Sequence, residues 1–167
     1  MKKIVFITLS LLLAVSFWNC EKDDICAEGT PTTPRVIIEF YDDANPTVLK
    51  NVTNLKVTES VQTEGFAFNG VSKIQVPLRT NDIQTILHFT ANGDDSDITN
   101  DNLDEITFNY ATQEVYISRA CGYKMTFQLN TTDGTVLTTD TNNWIQNIVI
   151  SQPNIENENE IHVKIYF

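Results

Sequence analysis

Tyr123-Lys124-Met125-Thr126-Phe127-Gln128-Leu129 alternates apolar and polar side chains without a break. A period of two sends successive side chains to opposite faces of an extended chain. The segment therefore reads as a strand with one face on a core and the other in water. The same period returns elsewhere. Ile74, Val76 and Leu78 oppose Lys73, Gln75 and Pro77, and Ile106, Phe108 and Tyr110 oppose Thr107 and Asn109. Ile161, Val163, Ile165 and Phe167 oppose His162, Lys164 and Tyr166. Thr85, Leu87 and Phe89 oppose Ile86 and His88, a strand that reads as covered on more than one side. Val36-Ile37-Ile38-Glu39-Phe40-Tyr41 is almost continuously apolar and reads as well buried, and Trp144 to Ile150 reads as a core strand.

Turn chemistry separates these runs. Asp42-Asp43-Ala44-Asn45-Pro46 ends the first. Asn69-Gly70 and Asp133-Gly134 match the pairs favoured in two-residue hairpins, where both central positions take positive φ. No stretch of eleven residues carries a helical period, and there is no internal repeat. Eight to ten short strands with frequent turns predict an all-β fold, an antiparallel two-sheet β-sandwich, with a small β-barrel as the alternative. The last alternating run reaches Phe167, so the C-terminal residues are expected inside a sheet, and trimming there is expected to harm folding.

The N-terminus has a different texture. Lys2 and Lys3 precede Ile4 to Trp18, an almost unbroken apolar run of fifteen residues. That length suits a signal peptide better than a spanning helix, which wants about 20 apolar residues. Residues 1–19 read as a lipoprotein signal peptide, with Cys20 as the acceptor of the lipid. The box before Cys20 departs from the usual pattern, with Phe17 and Asn19 where Leu and a small residue are common. The alternative is a plain secretory peptide and an ordinary thiol at Cys20. Residues 20–34, which include Gly29, Pro31 and Pro34, read as the lipidated cysteine and an extended tether. Residues 35–167 read as the β-sandwich domain.

Without residues 1–19 the chain has 148 residues, one domain's length, with nine basic against 22 acidic residues and a net charge of −13. That balance argues against nucleic acid as a partner and against flat docking on anionic lipid. Beyond Cys20 only Cys26 and Cys121 remain, an even pair in an exported chain. A disulfide is the expected use, and two free thiols the alternative.

Reactive groups are sparse. His88 and His162 both sit inside strand patterns, and no nucleophile elbow, His-Glu-x-x-His or phosphate loop is present, so neither a catalytic residue nor a cofactor is expected. The acidic stretch Asp94, Asp95, Asp97, Asp101, Asp104, Glu105 invites a calcium test. Counting from Asp94 puts Glu105 twelfth, but Ile98 and Thr99 then occupy the fifth and sixth places of an EF-type loop. Counting from Asp95 puts Ile106 twelfth. Neither register supplies the ligands, which leaves an irregular calcium loop or a solvated acidic loop. Trp144 and Tyr116 have the flat apolar faces of a sugar-stacking surface, and core packing is the simpler expectation for both.

Cys20-Glu21-Lys22-Asp23-Asp24 resembles the export signal of Bacteroidota surface lipoproteins, in which a lysine and two acids follow the lipidated cysteine. Tyr116-Ile117-Ser118-Arg119-Ala120-Cys121-Gly122-Tyr123-Lys124, with Cys26 soon after Cys20, resembles a family of small flavobacterial lipoproteins of unknown function. The resemblance implies an address and a disulfide, and no activity. The expectation is a lipoprotein held to the outer membrane, displayed on the cell surface or on the periplasmic face. It would act as a binding or structural accessory module toward a protein or glycan. A carboxylate-dependent hydrolase and an acidic inhibitor of a basic envelope enzyme are the alternatives.

Overall fold

The structure is a computed structural model that describes Val5 and residues 25–167. Cys20, Lys22, Asp23 and Asp24 lie outside the described residues. Eleven strands follow: β1 Val36–Tyr41, β2 Leu55–Glu59, β3 Gly65–Phe68, β4 Lys73–Val76, β5 Gln84–Ala91, β6 Asn102–Ser118, β7 Gly122–Leu129, β8 Thr135–Leu137, β9 Asn147–Ile150, β10 Asn154–Ile155 and β11 Val163–Tyr166. They form two sheets, β4-β1-β11-β9 and β10-β7-β6-β5-β2-β3, with β8 added on β6. Neither sheet closes, so the fold is a sandwich and not a barrel. All pairings are antiparallel except β1 with β11.

The alternating residues build the core as their period requires. Ile106, Phe108 and Tyr110 from β6, Leu87 and Phe89 from β5, and Ile38 and Phe40 from β1 are all buried between the sheets. β1 is central in its sheet, and Ile37, on its other face, is fully buried as well. That accounts for its continuous apolar sequence. Each such side chain removed from water contributes about 1.5–3 kcal/mol, so the core is the main favourable term. Among the described residues no helix is long and apolar enough to cross a membrane.

Register defines two ends. Val36 faces Val76, Glu59 faces Leu87 and Gln84 faces Asn109 at the end where the tether joins β1. The opposite end gathers the turns around residues 42–54, 69–72, 92–101 and 138–146.

Three expectations are corrected. Asn69-Gly70 does not close a hairpin between neighbouring strands, because β3 and β4 belong to different sheets, and the turn carries the chain from one to the other. Asp133-Gly134 closes no hairpin either. β7 and β8 lie along the same edge of β6, and residues 130–134 are an excursion that leaves that edge and returns to it. Asn109 alone spans the gap, its N–H donating to the Gly134 carbonyl and its carbonyl accepting from the Asn130 N–H. A Cβ at position 134 would come within 2.3 Å of the Asn130 carbonyl oxygen, so glycine is needed for close approach and not for a positive φ. Third, the strand expected over Trp144–Ile150 is shorter. Trp144 and Ile145 pack into the core from outside any strand, the Trp144 indole N–H donating to the Phe89 carbonyl and the Ile145 N–H to Asp104 Oδ2. Those bonds to the facing sheet replace a ladder, so the strand begins only at Asn147.

Candidate functional site

β6 outruns the sandwich. Its first half, to Asn109, is paired with β5, but beyond the Tyr110 N–H bond to the Ile83 carbonyl that edge has no partner among the described residues. From Ala111 to Ser118 only β7 accompanies it, so the two strands leave the body as an arm. The arm turns at Arg119–Cys121, where the Cys121 N–H donates to Ser118 Oγ at 3.0 Å. The register shifts between Tyr116 and Ser118, and Gly122 has φ +69°. A positive φ of this kind suits glycine, which has no Cβ to clash.

Cys26 is bonded to Cys121 at this tip, with Cα atoms 4.8 Å apart and a sequence separation of 95. The expected disulfide is thus present. The tether is fastened further along: Thr33 Oγ1 accepts from the Met125 N–H of β7, Pro34 is buried, and Arg35 makes a two-pronged contact with Glu158. That contact holds the Glu158 carboxyl below its ordinary pKa. Tyr116 and Tyr123 stand directly opposite one another on the tip, 58% and 65% exposed, with ring centroids 5.3 Å apart and nearly edge to face. Core packing, the simpler expectation for Tyr116, is therefore wrong, because β6 has passed the last residue of the facing sheet. Trp144 does pack against the core, on Phe40 and Phe167.

A second feature at the same end is a cleft of 360 Å³ between the β2–β3 hairpin and the β4–β5 connection. Val57, Val76, Leu78 and Leu87 form its apolar floor and Phe66 one wall. Glu59, Glu64 and Arg79 lie at its rim. The Arg79 guanidinium donates to Glu59 and to Asp82, and the bond to Glu59 raises the arginine's pKa further. Behind them Tyr110 and Thr85 share a short hydroxyl contact of 2.6 Å that ties the β4–β5 connection to β6 through the Arg79 carbonyl and N–H.

The other sequence candidates are not brought together. His88 Nε2 lies 3.1 Å from Glu105 Oε2 on the outer face of the larger sheet, and Glu105 Oε1 accepts from Thr138. His162 is buried, and its Nδ1 accepts the Ile37 N–H at 2.9 Å. Burial lowers the His162 pKa, against the pull of Glu160 and Glu158. In the acidic stretch, Asp95 and Asp97 accept from the backbone two residues on, and Asp97 also from the Thr99 hydroxyl, which lowers its pKa. Asp104 points the other way, into the protein, where burial raises its pKa. Among the described residues no three His, Cys, Asp or Glu side chains gather as a metal site requires.

Sequence reading missed the arm tip as a unit, and with it Tyr123 and Arg119. The available signal was symmetry, two tyrosines flanking one short turn that contains Cys-Gly. It missed the cleft because Glu59 and Arg79 are 20 positions apart and meet only through the fold.

The molecule is thus a two-sheet sandwich from which one long hairpin extends, pinned at its tip to the incoming chain. It belongs to the family of unknown function DUF6452, which matches residues 50–167. The matched span holds Cys121 and ten of the eleven strands, but neither Cys26 nor the central strand β1. Comparison with the curated proteins and with the solved structures finds no match.

Proposed function

We propose that this chain is a Bacteroidota lipoprotein, lipidated on Cys20 after removal of residues 1–19, anchored to the outer membrane and displayed on the cell surface. Lys22, Asp23 and Asp24 serve as its export signal, and the sandwich acts as a binding or structural accessory module toward a protein or glycan. The observation that carries this reading is the Cys26–Cys121 disulfide at the arm tip. It leaves only Glu21 to Ile25 free between the lipid and the fold, five residues that reach about 17 Å when extended. The domain is then held close over the bilayer with its arm downward. Its acidic body is repelled by anionic headgroups within a Debye length of about 8 Å. The Asp-rich loops of the opposite end face outward.

The hydrolase alternative has one supporting feature, the two glutamates at the cleft. Glu59 is already committed to Arg79, so the cleft does not offer two free carboxylates to a scissile bond.

Metabolic labelling with a fatty acid, followed by protease shaving of intact cells, tests the proposal. Label on the wild type and none on Cys20→Ser is the expected result. Digestion of wild type but not of a variant with Lys22, Asp23 and Asp24 changed to alanine supports surface display. Unlabelled wild type overturns the anchor, and full protection from protease places the domain on the periplasmic face.

A further inference from the structure

We propose that the arm tip is a second membrane contact, in which Tyr116, Tyr123 and Ile25 settle among the lipid headgroups and Arg119 meets their phosphates. The inference rests on the lipoprotein reading of Cys20 and deepens it. Three independent features of the tip lead there.

The first is reach. The disulfide brings the incoming chain to the tip, so a lipid on Cys20 enters the bilayer within five extended residues of Ile25, about 17 Å. No other part of the fold is so constrained. The second is surface chemistry. Ile25 is 79% exposed and lines a hollow with Tyr116, whose ring pairs with that of Tyr123, and both tyrosines have lost the facing sheet that covers the same face of β6 further back. Tyrosine has an apolar ring and a polar hydroxyl, the combination enriched at the headgroup level of bilayers. The third is charge. From Val115 to Met125 the chain carries Arg119 and Lys124 and no acid, in a mature chain with more than twice as many acidic as basic residues. Lys124 Nζ donates to the Glu156 carbonyl, while Arg119 is exposed and borders a hollow at the tip shared with Ile25, Thr30 and Tyr116. Glu114, and on the incoming chain Glu21, Asp23, Asp24 and Glu28, are the nearest acids in sequence, so the basic surface is confined to the turn around Arg119. The acyl chains supply the affinity. What the tip adds is a second point of attachment, which fixes the tilt of the domain.

The test uses the full chain, exported, purified with its acyl group confirmed on Cys20 by mass, and reconstituted into vesicles of phosphatidylethanolamine and phosphatidylglycerol with brominated acyl chains. Removal of residues 1–19 leaves Trp144 as the only tryptophan, at the opposite end of the sandwich. A Tyr123→Trp, Trp144→Phe variant then reports from the tip, and the wild type from the far end. Bromine is expected to quench the tip emission about twofold and to leave Trp144 unchanged, and Arg119→Glu in the tip variant is expected to remove most of that quenching. Should Trp144→Phe fail to fold, Tyr123→Trp alone, read against the wild type, gives the same comparison. Unquenched tip emission with Cys20 acylated overturns the membrane contact and leaves the lipoprotein reading standing. A Cys20 without an acyl group overturns both.

Discussion

The two halves of β6 have one pattern and two fates. Ile106, Phe108 and Tyr110 are buried under the facing sheet, whereas Thr112, Glu114 and Tyr116 continue the same face into solvent as the arm. Alternation states that a segment is a strand with two unlike faces. It does not state what lies over the apolar face, because that depends on the length of the opposing sheet, which is encoded elsewhere in the chain. β1, β4, β9 and β11 are four to six residues long and β6 is seventeen, so part of β6 must project.

The largest expected effect is in the covered half. Phe108→Ala removes a fully buried ring and should cost about 3–5 kcal/mol, measured by denaturant unfolding. A loss under about 1 kcal/mol would mean that the core collapses around the gap, or that the two halves differ less than their burial indicates.

Next comes the link between arm and tether. Replacing Cys26 and Cys121 by serine removes a cross-link between positions 95 apart in sequence and is expected to cost about 2–4 kcal/mol. Hydrogen exchange should locate the change in residues 25–33 and the arm tip and leave the amides of β1 and β5 slow. Fast exchange throughout β5 would show that the arm supports the body, contrary to the comparison.

His162 marks where the body ends on the tether side. His162→Ala leaves the buried Ile37 N–H without its acceptor and should cost about 1–3 kcal/mol. The pH dependence has a definite sign. Burial depresses the folded-state pKa, so below about 6.5 the unfolded chain binds a proton that the folded protein resists. The contribution is intact above that value and is lost as pH falls toward the folded-state pKa. Wild type should therefore lose stability on acidification through this window, and His162→Ala should flatten the slope there. An unchanged slope would show that other groups carry it.

The strands were legible because their period is local. The β1 run was read residue for residue, and the alternating faces of β4, β5 and the first half of β6 are the buried ones. Turn dipeptides misled where partner choice is non-local. Asn69-Gly70 has the backbone of a tight turn, with Gly70 at φ +68°, yet the strands it joins pair with others. The disulfide was legible by counting, since a single pair leaves one partner for each cysteine. The tip was not, because its distinguishing property is the absence of a covering sheet, and the cleft was not, because its charged rim comes from two distant turns.

The smallest effect tests the uncovered half directly. Tyr116 and Tyr123 pair with each other at the tip, their ring centroids 5.3 Å apart. A cross-strand aromatic pair on an open face is worth about 0.2–1 kcal/mol. Tyr116→Ala and Tyr123→Ala should each cost little, and the double variant should cost less than their sum by about that coupling. The cycle discriminates because burial would enlarge the single costs, not only the coupling. Truncating a tyrosine held under a cover in the free protein would cost about 3–5 kcal/mol, the value expected for Phe108→Ala. Single costs near that value would mean that the arm folds back onto the body in solution, and the contrast between the halves of β6 would fail. Small single costs with a coupling below about 1 kcal/mol would leave the tip as a surface held ready by the disulfide, its aromatic face free for contact with something outside the molecule.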